Sequence, residues 1–269
     1  MDLITSVANL ARDYGLEVGI PVTLRSTNNV VVWMRPSPVV AKISKDFDAS
    51  SQEFRRATFL AAVGAPVVPP IVIGVAQPVN ASGQWVTFWH YVVDEGGATA
   101  AQVAASLNEL HSGLAKAPDR TTFPPCSNRL QTALDLLDDP GLRGGLDVDD
   151  RALLGRALLD GIGALTSLKD PPRVLHGSPH RFNMLVMCGA VVFIDFETVE
   201  LGPLEWDLAH LDEEVAALYP AEVDEDLLRR CRIAISAATS AWCWKGVDRG
   251  VDMRIHAEQH LEIVRRMLA

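Results

Sequence analysis

The chain has 269 residues, of which 48% are hydrophobic and 22% are charged. This composition excludes a disordered protein and allows more than one buried core. The formal net charge of −10 argues against nucleic-acid binding, which needs clustered lysine and arginine. It is compatible with a cationic small substrate, although many proteins are this acidic for solubility alone.

The cysteines and the amino-terminal residues indicate a cytoplasmic protein. The four cysteines form no CxxC pair, which favours a reducing compartment and buried thiols over a disulfide framework or a zinc site. Residues 1–15 have the apolar period of an amphipathic helix and lack the basic start of a signal peptide. Because prolines interrupt the longest apolar stretch, at 66–79, we expect no membrane partner. The sequence leaves the oligomeric state open.

The first third of the chain predicts a small β-rich lobe. Residues 18–44 are rich in β-branched residues and predict three strands, with turns at Thr27-Asn28-Asn29 and Pro36-Ser37-Pro38. Residues 48–63 switch to a helical period that Gly64 ends. A linker at 66–70 and two further strands, at 71–75 and 84–92, complete this lobe.

The rest of the chain predicts a larger helical lobe. Helical periods cover the segments 99–114, 128–137, 147–168 and most of 208–268. One apolar hairpin within residues 174–208 is the only strand pair expected there. The change of pattern near residues 92–97 predicts a β-rich domain of residues 1–93 and a helical domain of residues 94–269. The predicted fold class is therefore α+β with two lobes.

Residues 174–208 carry the strongest chemical signal. His176-Gly177-Ser178 is followed by Asn183, and the apolar hairpin separates Asn183 from Asp195. An amide and a carboxylate at the two ends of a hairpin can converge on one divalent cation. Oxygen ligands suit Mg²⁺, which usually completes its shell with phosphate oxygens and water. The pattern therefore indicates phosphoryl transfer from a nucleotide.

This segment resembles the catalytic core of the aminoglycoside phosphotransferase family, which has a protein-kinase-like fold. The family's HGDxxxxN motif corresponds to His176-Gly177-Ser178 with Asn183, and its IDxE-like motif to Ile194-Asp195-Phe196-Glu197. Its DPxxDLA-like motif corresponds to residues 202–209. The resemblance implies a two-lobed kinase-like fold, ATP or GTP with Mg²⁺ as cofactors, and a small-molecule acceptor.

The resemblance also assigns roles to these residues. It implies a catalytic part for His176, Ser178, Asn183 and Asp195, with Asn183 and Asp195 as the metal ligands. It implies that Asp207 holds the catalytic loop through the loop's backbone. His176 is expected to anchor that loop by hydrogen bonds. Pro179 disfavours a regular helix there, which argues against a metal shared by His176 and His180.

Lys42 is the first candidate for nucleotide binding. It lies within the apolar run Val39-Val40-Ala41-Lys42-Ile43, where a lysine should be paired with a charge. The resemblance implies that Lys42 contacts the nucleotide phosphates and pairs with Glu53 on the following helix. The alternative is a strand-edge lysine that reaches water.

Two further segments are candidates for the nucleotide site. Asn28 and Asn29 lie in the turn that covers the phosphates in such folds, and asparagine can offer backbone amides to phosphate. An ordinary asparagine-rich turn explains the same residues equally well. Trp89, His90 and Tyr91 fall at the expected hinge, where backbone groups would bind the adenine edge. An aromatic cluster in a strand is otherwise usually core.

One departure from the family pattern is serious, because Ser178 stands where the family has its catalytic-base aspartate. A serine hydroxyl is too weakly basic to accept the acceptor's proton. His180 or Glu197 could replace the base, or the acceptor could be self-activating. Glu197 would share a side with Asp195 if their segment were extended. A Ser178-based hydrolase is disfavoured, because no GxSxG motif surrounds it.

The leading hypothesis is an ATP- and Mg²⁺-dependent phosphotransferase acting on an unknown small-molecule acceptor. The alternative is a catalytically impaired nucleotide-binding pseudokinase or scaffold. The acceptor pocket would lie in the helical lobe, around the acidic stretches 94–95 and 212–214. The sequence does not identify the acceptor.

Overall fold

The structure is a computed structural model that describes residues 2–26, 29–139, 142, 146–246 and 251–269. The chain forms two compact units. The first comprises Met1–Ala117 with Arg181–Thr198, and the second comprises Pro118–His180 with Val199–Ala269. The hairpin of the motif segment therefore belongs to the first unit. The lobe boundary at residues 93 and 94 stays a prediction.

The regular elements follow the expected order, with strands dominating the first part of the chain and helices the second. In chain order they are α1 (Leu3–Asp13), β1 (Val22–Ser26), β2 (Val30–Trp33), β3 (Val39–Ser44), α2 (Phe47–Ala62), β4 (Val79–Ala81), β5 (Gln84–His90), α3 (Ala100–Leu114), α4 (Ser127–Leu137), α5 (Val148–Thr166), β6 (Arg173–Leu175), β7 (Met184–Met187), β8 (Ala190–Phe193), β9 (Glu200–Gly202), α6 (Leu204–Leu208), α7 (Glu213–Leu218), α8 (Glu225–Lys245) and α9 (Val251–Leu268).

The first unit is built on an antiparallel sheet with the strand order β1-β2-β3-β5-β4. One face of this sheet packs against a core and the other lines a cavity. Strand β3 contributes to both, because successive residues of a strand face opposite sides. Val39, Ala41 and Ile43 join a core with the buried face of α1. Val40 and Lys42 therefore face the other side of the sheet, where they line a cavity.

The segment 66–71 attaches the β7–β8 hairpin to this sheet. The N–H of Phe193 donates to the Pro66 carbonyl at 2.8 Å, and the N–H of Val68 donates to the Phe193 carbonyl at 3.1 Å. Three residues on, the N–H of Ile71 donates to the Phe88 carbonyl of β5 at 2.8 Å. The prediction of a strand at 71–75 is wrong, since these residues are irregular and β4 forms later.

The second unit packs its core between α4, α5, α8 and α9, with Leu130, Leu154, Leu158 and Ala234 fully buried. Helices α5 and α8 approach closely at Gly161, where a Cβ atom would lie 2.5 Å from the Ala234 Cβ atom. A glycine at this position is therefore required by packing.

One expectation for the second part of the chain is wrong. The hairpin is not its only strand material, because β6 and β9 form a two-stranded antiparallel sheet. Strands of three residues carry too few positions to show a period of two. The four cysteines are free, and the expectation of buried thiols is met by Cys126 and Cys231 but not by the exposed Cys188. In the part of the chain that the structure describes, no helix is both long and apolar enough to cross a membrane.

Candidate active site

The centre of the candidate site is one ammonium group shared by three carboxylates, all within the first unit. Lys42 Nζ lies 2.8 Å from both carboxylate oxygens of Glu53. It also lies 3.0 Å from Asp195 Oδ1 and 2.8 Å from Glu197 Oε1. The Lys42 and Glu53 side chains are 13% and 3% exposed, whereas those of Asp195 and Glu197 are 32% and 26% exposed. The cluster therefore carries excess negative charge on its more exposed side.

This crowding of charge shifts the ionisation of the two buried partners. Burial lowers the pKa of Lys42, but the charges of Glu53, Asp195 and Glu197 outweigh it and raise that pKa above its usual value. Burial raises the pKa of Glu53 to about 7, and the neighbouring Asp195 and Glu197 charges also raise it while Lys42 lowers it. The ammonium is therefore firmly held in its charged form.

Asp195 reaches the cluster from an unusual backbone conformation. Its φ is 70°, in the left-handed region that few non-glycine residues adopt. The 3₁₀ turn Phe196–Thr198 follows immediately. The segment is therefore not extended, so the alignment that an extended backbone would give Asp195 and Glu197 does not apply. The tight turn still brings their carboxylates together, within 4.8 Å of each other.

Two side chains hold this turn in place. The Asn29 Nδ2 amide donates to Glu197 Oε1 at 2.8 Å. The Arg56 guanidinium on α2 donates to the carbonyls of Phe196 and Glu197, both at 2.9 Å. The helix that supplies Glu53 therefore also fixes the backbone next to Asp195. Asn28 lies outside the described residues.

A cavity of about 320 Å³ opens beside the cluster, which is within the size range of small-molecule sites. Its charged wall contains Lys42, Glu53, Asp195 and Glu197, and Asn29 also lines it. The rest of its wall is mainly apolar and comprises Leu24, Val31, Val40, Val68, Trp89, Val92, Phe182, Leu185 and Ile194, together with Arg25, His90 and Tyr91. An apolar slot that ends at a charged cluster suits a flat base attached to phosphates.

The hinge residues differ in the backbone groups that they can offer. The N–H of His90 donates to the Pro69 carbonyl at 3.3 Å, and the N–H of Tyr91 donates to the Pro38 carbonyl at 2.9 Å. The side chain of Trp89 donates from Nε1 to Thr87 Oγ1 at 2.8 Å, and the Tyr91 ring stacks on Trp33 at 4.3 Å. The N–H groups of His90 and Tyr91 are therefore already bonded within the first unit.

Asn183 is joined to the acidic turn through the hairpin backbone. It ends the 3₁₀ turn Arg181–Asn183 and is 3% exposed. Its carbonyl accepts from the N–H of Ile194 at 3.0 Å, so it lies across the hairpin from the residue before Asp195. Among the described residues that line the cavity, Asn183 is not included.

The oxygen donors of the cluster fit a hard divalent cation. Among the described residues, the one group of acidic, histidine or cysteine side chains that could hold a metal is Glu53, Asp195 and Glu197. All its donors are carboxylate oxygens, the ligand type that Mg²⁺ prefers. Because a single ammonium opposes three carboxylates, an added cation would reduce the charge imbalance. The residues present therefore fit a Mg²⁺ ion.

The second unit holds the His176-Gly177-Ser178 loop. Asp207 is fully buried, and its two carboxylate oxygens accept from the N–H groups of His176 at 2.9 Å and Gly177 at 2.8 Å. The expectation that Asp207 holds this loop through its backbone is confirmed. The N–H of Ser178 donates to His176 Nδ1 at 3.4 Å. Residues 176–180 form no helix.

Sequence reasoning did not predict a second set of hydrogen bonds that holds this loop. Arg129 on α4 donates from Nη1 to the Gly177 carbonyl at 2.5 Å and lies 3.2 Å from Glu200 Oε1. The Trp206 indole N–H donates to the same Glu200 oxygen at 2.6 Å. Burial raises the pKa of Glu200 to about 7, although Arg129 and Trp206 lower it. No local motif marks Arg129, because its partners lie 48 and 71 residues away.

Comparison with known proteins gives one family and many related folds. The model of the phosphotransferase enzyme family, APH, matches residues 24–242. The GDP and kanamycin complex of APH(2")-IIia is 15% identical, with a TM-score of 0.74, and the match covers 99% of this chain and 98% of that chain. The comparison with curated proteins gives no match.

Two other kinases have similar structures. Choline kinase LicA from Streptococcus pneumoniae is 11% identical, with a TM-score of 0.72 and coverage of 99% of both chains. Amicoumacin kinase hAmiN, in complex with AMP-PNP, Ca²⁺ and Ami, is 12% identical, with a TM-score of 0.67 and coverage of 98% of this chain and 96% of that chain.

These matches define a kinase-like fold and confirm the predicted fold class. Because the family model covers most of the sequence, the chain belongs to the phosphotransferase enzyme family.

Proposed function

We propose that this protein transfers a phosphoryl group from ATP or GTP, with Mg²⁺, to a small-molecule acceptor. The observation that carries the proposal is the Lys42 ammonium, which is shared by three carboxylates in the wall of a cavity of about 320 Å³. An ammonium can bind phosphates, while surplus carboxylates can bind the metal that bridges those phosphates. Membership of the phosphotransferase enzyme family supports the same activity.

Each residue of the cluster takes a definite part in this proposal. Lys42 binds the nucleotide phosphates, and Glu53 orients it through two contacts of 2.8 Å. Asp195 and Asn183 hold the metal, with Glu197 as an additional oxygen donor. When bound, Mg²⁺ neutralises charge on the phosphate oxygens. Asn29 keeps Glu197 in place by its 2.8 Å hydrogen bond.

The apolar part of the cavity binds the nucleotide base. Val40, Trp89 and Leu185 enclose it, while the His90 carbonyl and the Val92 amide are the hinge groups best suited to its polar edge. The N–H groups of His90 and Tyr91 already donate within the protein. The related structures with GDP and with AMP-PNP contain both kinds of purine nucleotide, so both ATP and GTP are candidate donors.

Ser178 makes the proton transfer of this reaction unusual. General-base catalysis contributes about 10²- to 10⁴-fold, so its loss slows phosphoryl transfer without removing the contribution of positioning and metal electrostatics. Family membership and the intact charge cluster favour an enzyme over the pseudokinase alternative. His180 and Glu197 remain the candidates for a replacement base.

The acceptor in this proposal is a small molecule. One related structure contains kanamycin, another is a choline kinase and a third is an amicoumacin kinase. A single fold therefore serves acceptors of different chemistry, and the fold does not decide between them.

The test is a single-turnover assay with γ-labelled ATP and GTP and a panel of aminoglycosides, amino alcohols and simple sugars. The expected result is Mg²⁺-dependent transfer to at least one acceptor. Ser178→Asp, with Ser178→Ala as its control, tests the base position and should increase the rate if a general base is limiting. Nucleotide binding without transfer to any acceptor, including by Ser178→Asp, would contradict the proposed enzyme.

A further inference from the structure

Arg25 is a cation in the cavity wall that the motifs do not mark. It lies on β1, where all five residues are exposed. Its guanidinium forms no hydrogen bond or ion pair with the described residues, yet Arg25 lines the same cavity as Lys42, Asn29 and Asp195. Lys42 and Arg25 are the only lysine or arginine side chains among the described residues of this wall.

A β-bulge explains why Arg25 faces the cavity. Thr23 pairs with Val32, and Arg25 pairs with Val31, so Leu24 is an extra residue without a partner in β2. Consecutive residues of a regular strand point to opposite faces, but here both Leu24 and Arg25 line the cavity. Bulges redirect side chains in this way and are frequent near active sites.

The register places Arg25 at the level of the phosphate-binding lysine. Arg25 pairs with Val31 on β2, and Val31 pairs with Lys42 on β3. Directly paired residues of antiparallel strands share a face, and all three residues line the cavity. Two strand spacings separate the backbones of Arg25 and Lys42 by about 10 Å.

The base-binding end of the cavity is at a different level of the sheet. Val40 pairs with Trp89, and both residues line the apolar part of the cavity. Val40 precedes Lys42 by two residues, a distance of about 7 Å along a strand. Arg25 therefore lies in the row of Lys42 and not in the row of the base.

The charges of the cavity wall favour a second protein cation beside the phosphates. Three carboxylates already surround the Lys42 ammonium, so they offset part of its attraction for a polyanionic triphosphate. Arginine also presents a planar set of donors that matches phosphate oxygens. The sequence between β1 and β2, residues 27–29, contains no glycine, so it lacks the glycine-rich sequence that commonly cradles phosphates.

We infer that Arg25, redirected by the β-bulge of β1, binds the phosphate groups of the nucleotide opposite Lys42. The inference rests on the proposed function and extends it, because it assigns a phosphate-binding side chain that the family motifs do not include. Arg25 and Lys42 would then hold the phosphates from two sides of Val31.

The test compares binding of ATP, ADP and adenosine to the whole protein by isothermal titration, with the guanosine series in parallel. Arg25→Gln should weaken binding of ATP and ADP by about tenfold or more, because a charge-assisted hydrogen bond is lost. Binding of adenosine should change by less than about twofold, since adenosine has no phosphate. Arg25→Lys, which keeps the charge but not the planar donors, should lose less affinity for ATP.

Arg55→Gln is the matched control, because Arg55 is an exposed arginine of the same unit whose guanidinium donates to Ser51 of its own helix. Unchanged ATP binding by Arg25→Gln would overturn the inference, and so would an equal loss for ATP and adenosine. Wild-type protein that binds neither ATP nor GTP would overturn the proposed function together with this inference. Normal wild-type binding with an unaffected Arg25→Gln variant would overturn the inference alone.

Discussion

The two units each contain a buried charge cluster, and the clusters differ in what they leave available. In the first unit, Lys42 is shared by Glu53, Asp195 and Glu197, and the last two carboxylates are partly exposed beside a cavity. In the second unit, Asp207 accepts two backbone N–H groups, and a 3%-exposed Glu200 accepts from Arg129 and Trp206.

The cluster of the first unit is suited to binding a ligand, whereas the cluster of the second unit is suited to supporting the protein backbone. Excess negative charge beside a cavity attracts a cation and a ligand that can share it. A carboxylate whose oxygens are occupied by internal donors instead fixes the backbone that supplies those donors. The four predictions that follow test this distinction.

The largest effect is expected for Lys42→Met. Removing the ammonium takes away the charged group that the proposal places on the nucleotide phosphates, and removing one partner of a buried charge-assisted contact costs about 2–5 kcal/mol of binding free energy. Nucleotide affinity should therefore fall at least about 100-fold, as measured by titration with MgATP and MgGTP. Lys45→Met, which changes an exposed lysine just beyond β3, is the control. Equal nucleotide affinities of Lys42→Met and wild type would show that the charge cluster of the first unit is not part of the nucleotide site.

Arg129→Met should affect stability and leave nucleotide affinity unchanged. The variant leaves Glu200 buried without its cation and removes a donor to the Gly177 carbonyl. Above pH 7, where Glu200 is ionised, we expect a loss of about 3 kcal/mol in the free energy of unfolding, measured in urea, with MgATP affinity of the folded protein preserved. Arg156→Met, on the exposed side of α5, should change neither quantity. A selective loss of nucleotide affinity would break the distinction between the clusters.

The pH dependence of the free energy of unfolding should reveal the raised pKa of Glu200. Its pKa is raised from 4.5 to about 7, so between pH 4.5 and 7 the folded protein binds a proton that the unfolded chain has released. The free energy of unfolding therefore falls as pH rises through this window, by no more than about 3 kcal/mol. Relative to Glu200→Gln, the wild type should lose stability across this window. Glu222→Gln, at an exposed site, should follow the wild type throughout.

Arg56→Gln should have the smallest effect. Arg56 bonds the carbonyls of Phe196 and Glu197 and does not line the cavity among its described residues. Its loss should loosen the turn after Asp195 and weaken Mg²⁺-dependent nucleotide binding by about tenfold or less, as expected for a hydrogen bond worth about 1 kcal/mol. Nucleotide binding measured without Mg²⁺, in the presence of EDTA, should weaken less. A variant that weakens both to the same extent would show a role of Arg56 outside the acidic turn.

Local patterns made the central parts of this site predictable. The alternation of β3 marked Lys42 as the polar residue of an apolar strand, and the spacing of residues 176–209 indicated the family. The long helices were predictable because an apolar period of 3.6 extends over many residues.

Other parts required the fold itself. The three-residue strands β6 and β9 are too short for a period, and the strand expected at 71–75 is replaced by bonds from residues 66–71 to β5 and β8. Arg56 meets its acidic turn 140 residues away. The bulge that redirects Arg25 depends on the register of β1 with β2. No local pattern contains these pairings.

The central claim is that the carboxylate of Asp195 holds the metal of a bound nucleoside triphosphate. The most direct measurement is calorimetric titration of ATP and GTP, with and without Mg²⁺, into wild type, Asp195→Ala and the exposed control Asp48→Ala. The account predicts Mg²⁺-dependent binding to wild type and Asp48→Ala that Asp195→Ala loses. Equal Mg²⁺-dependent affinity of Asp195→Ala and wild type would contradict it.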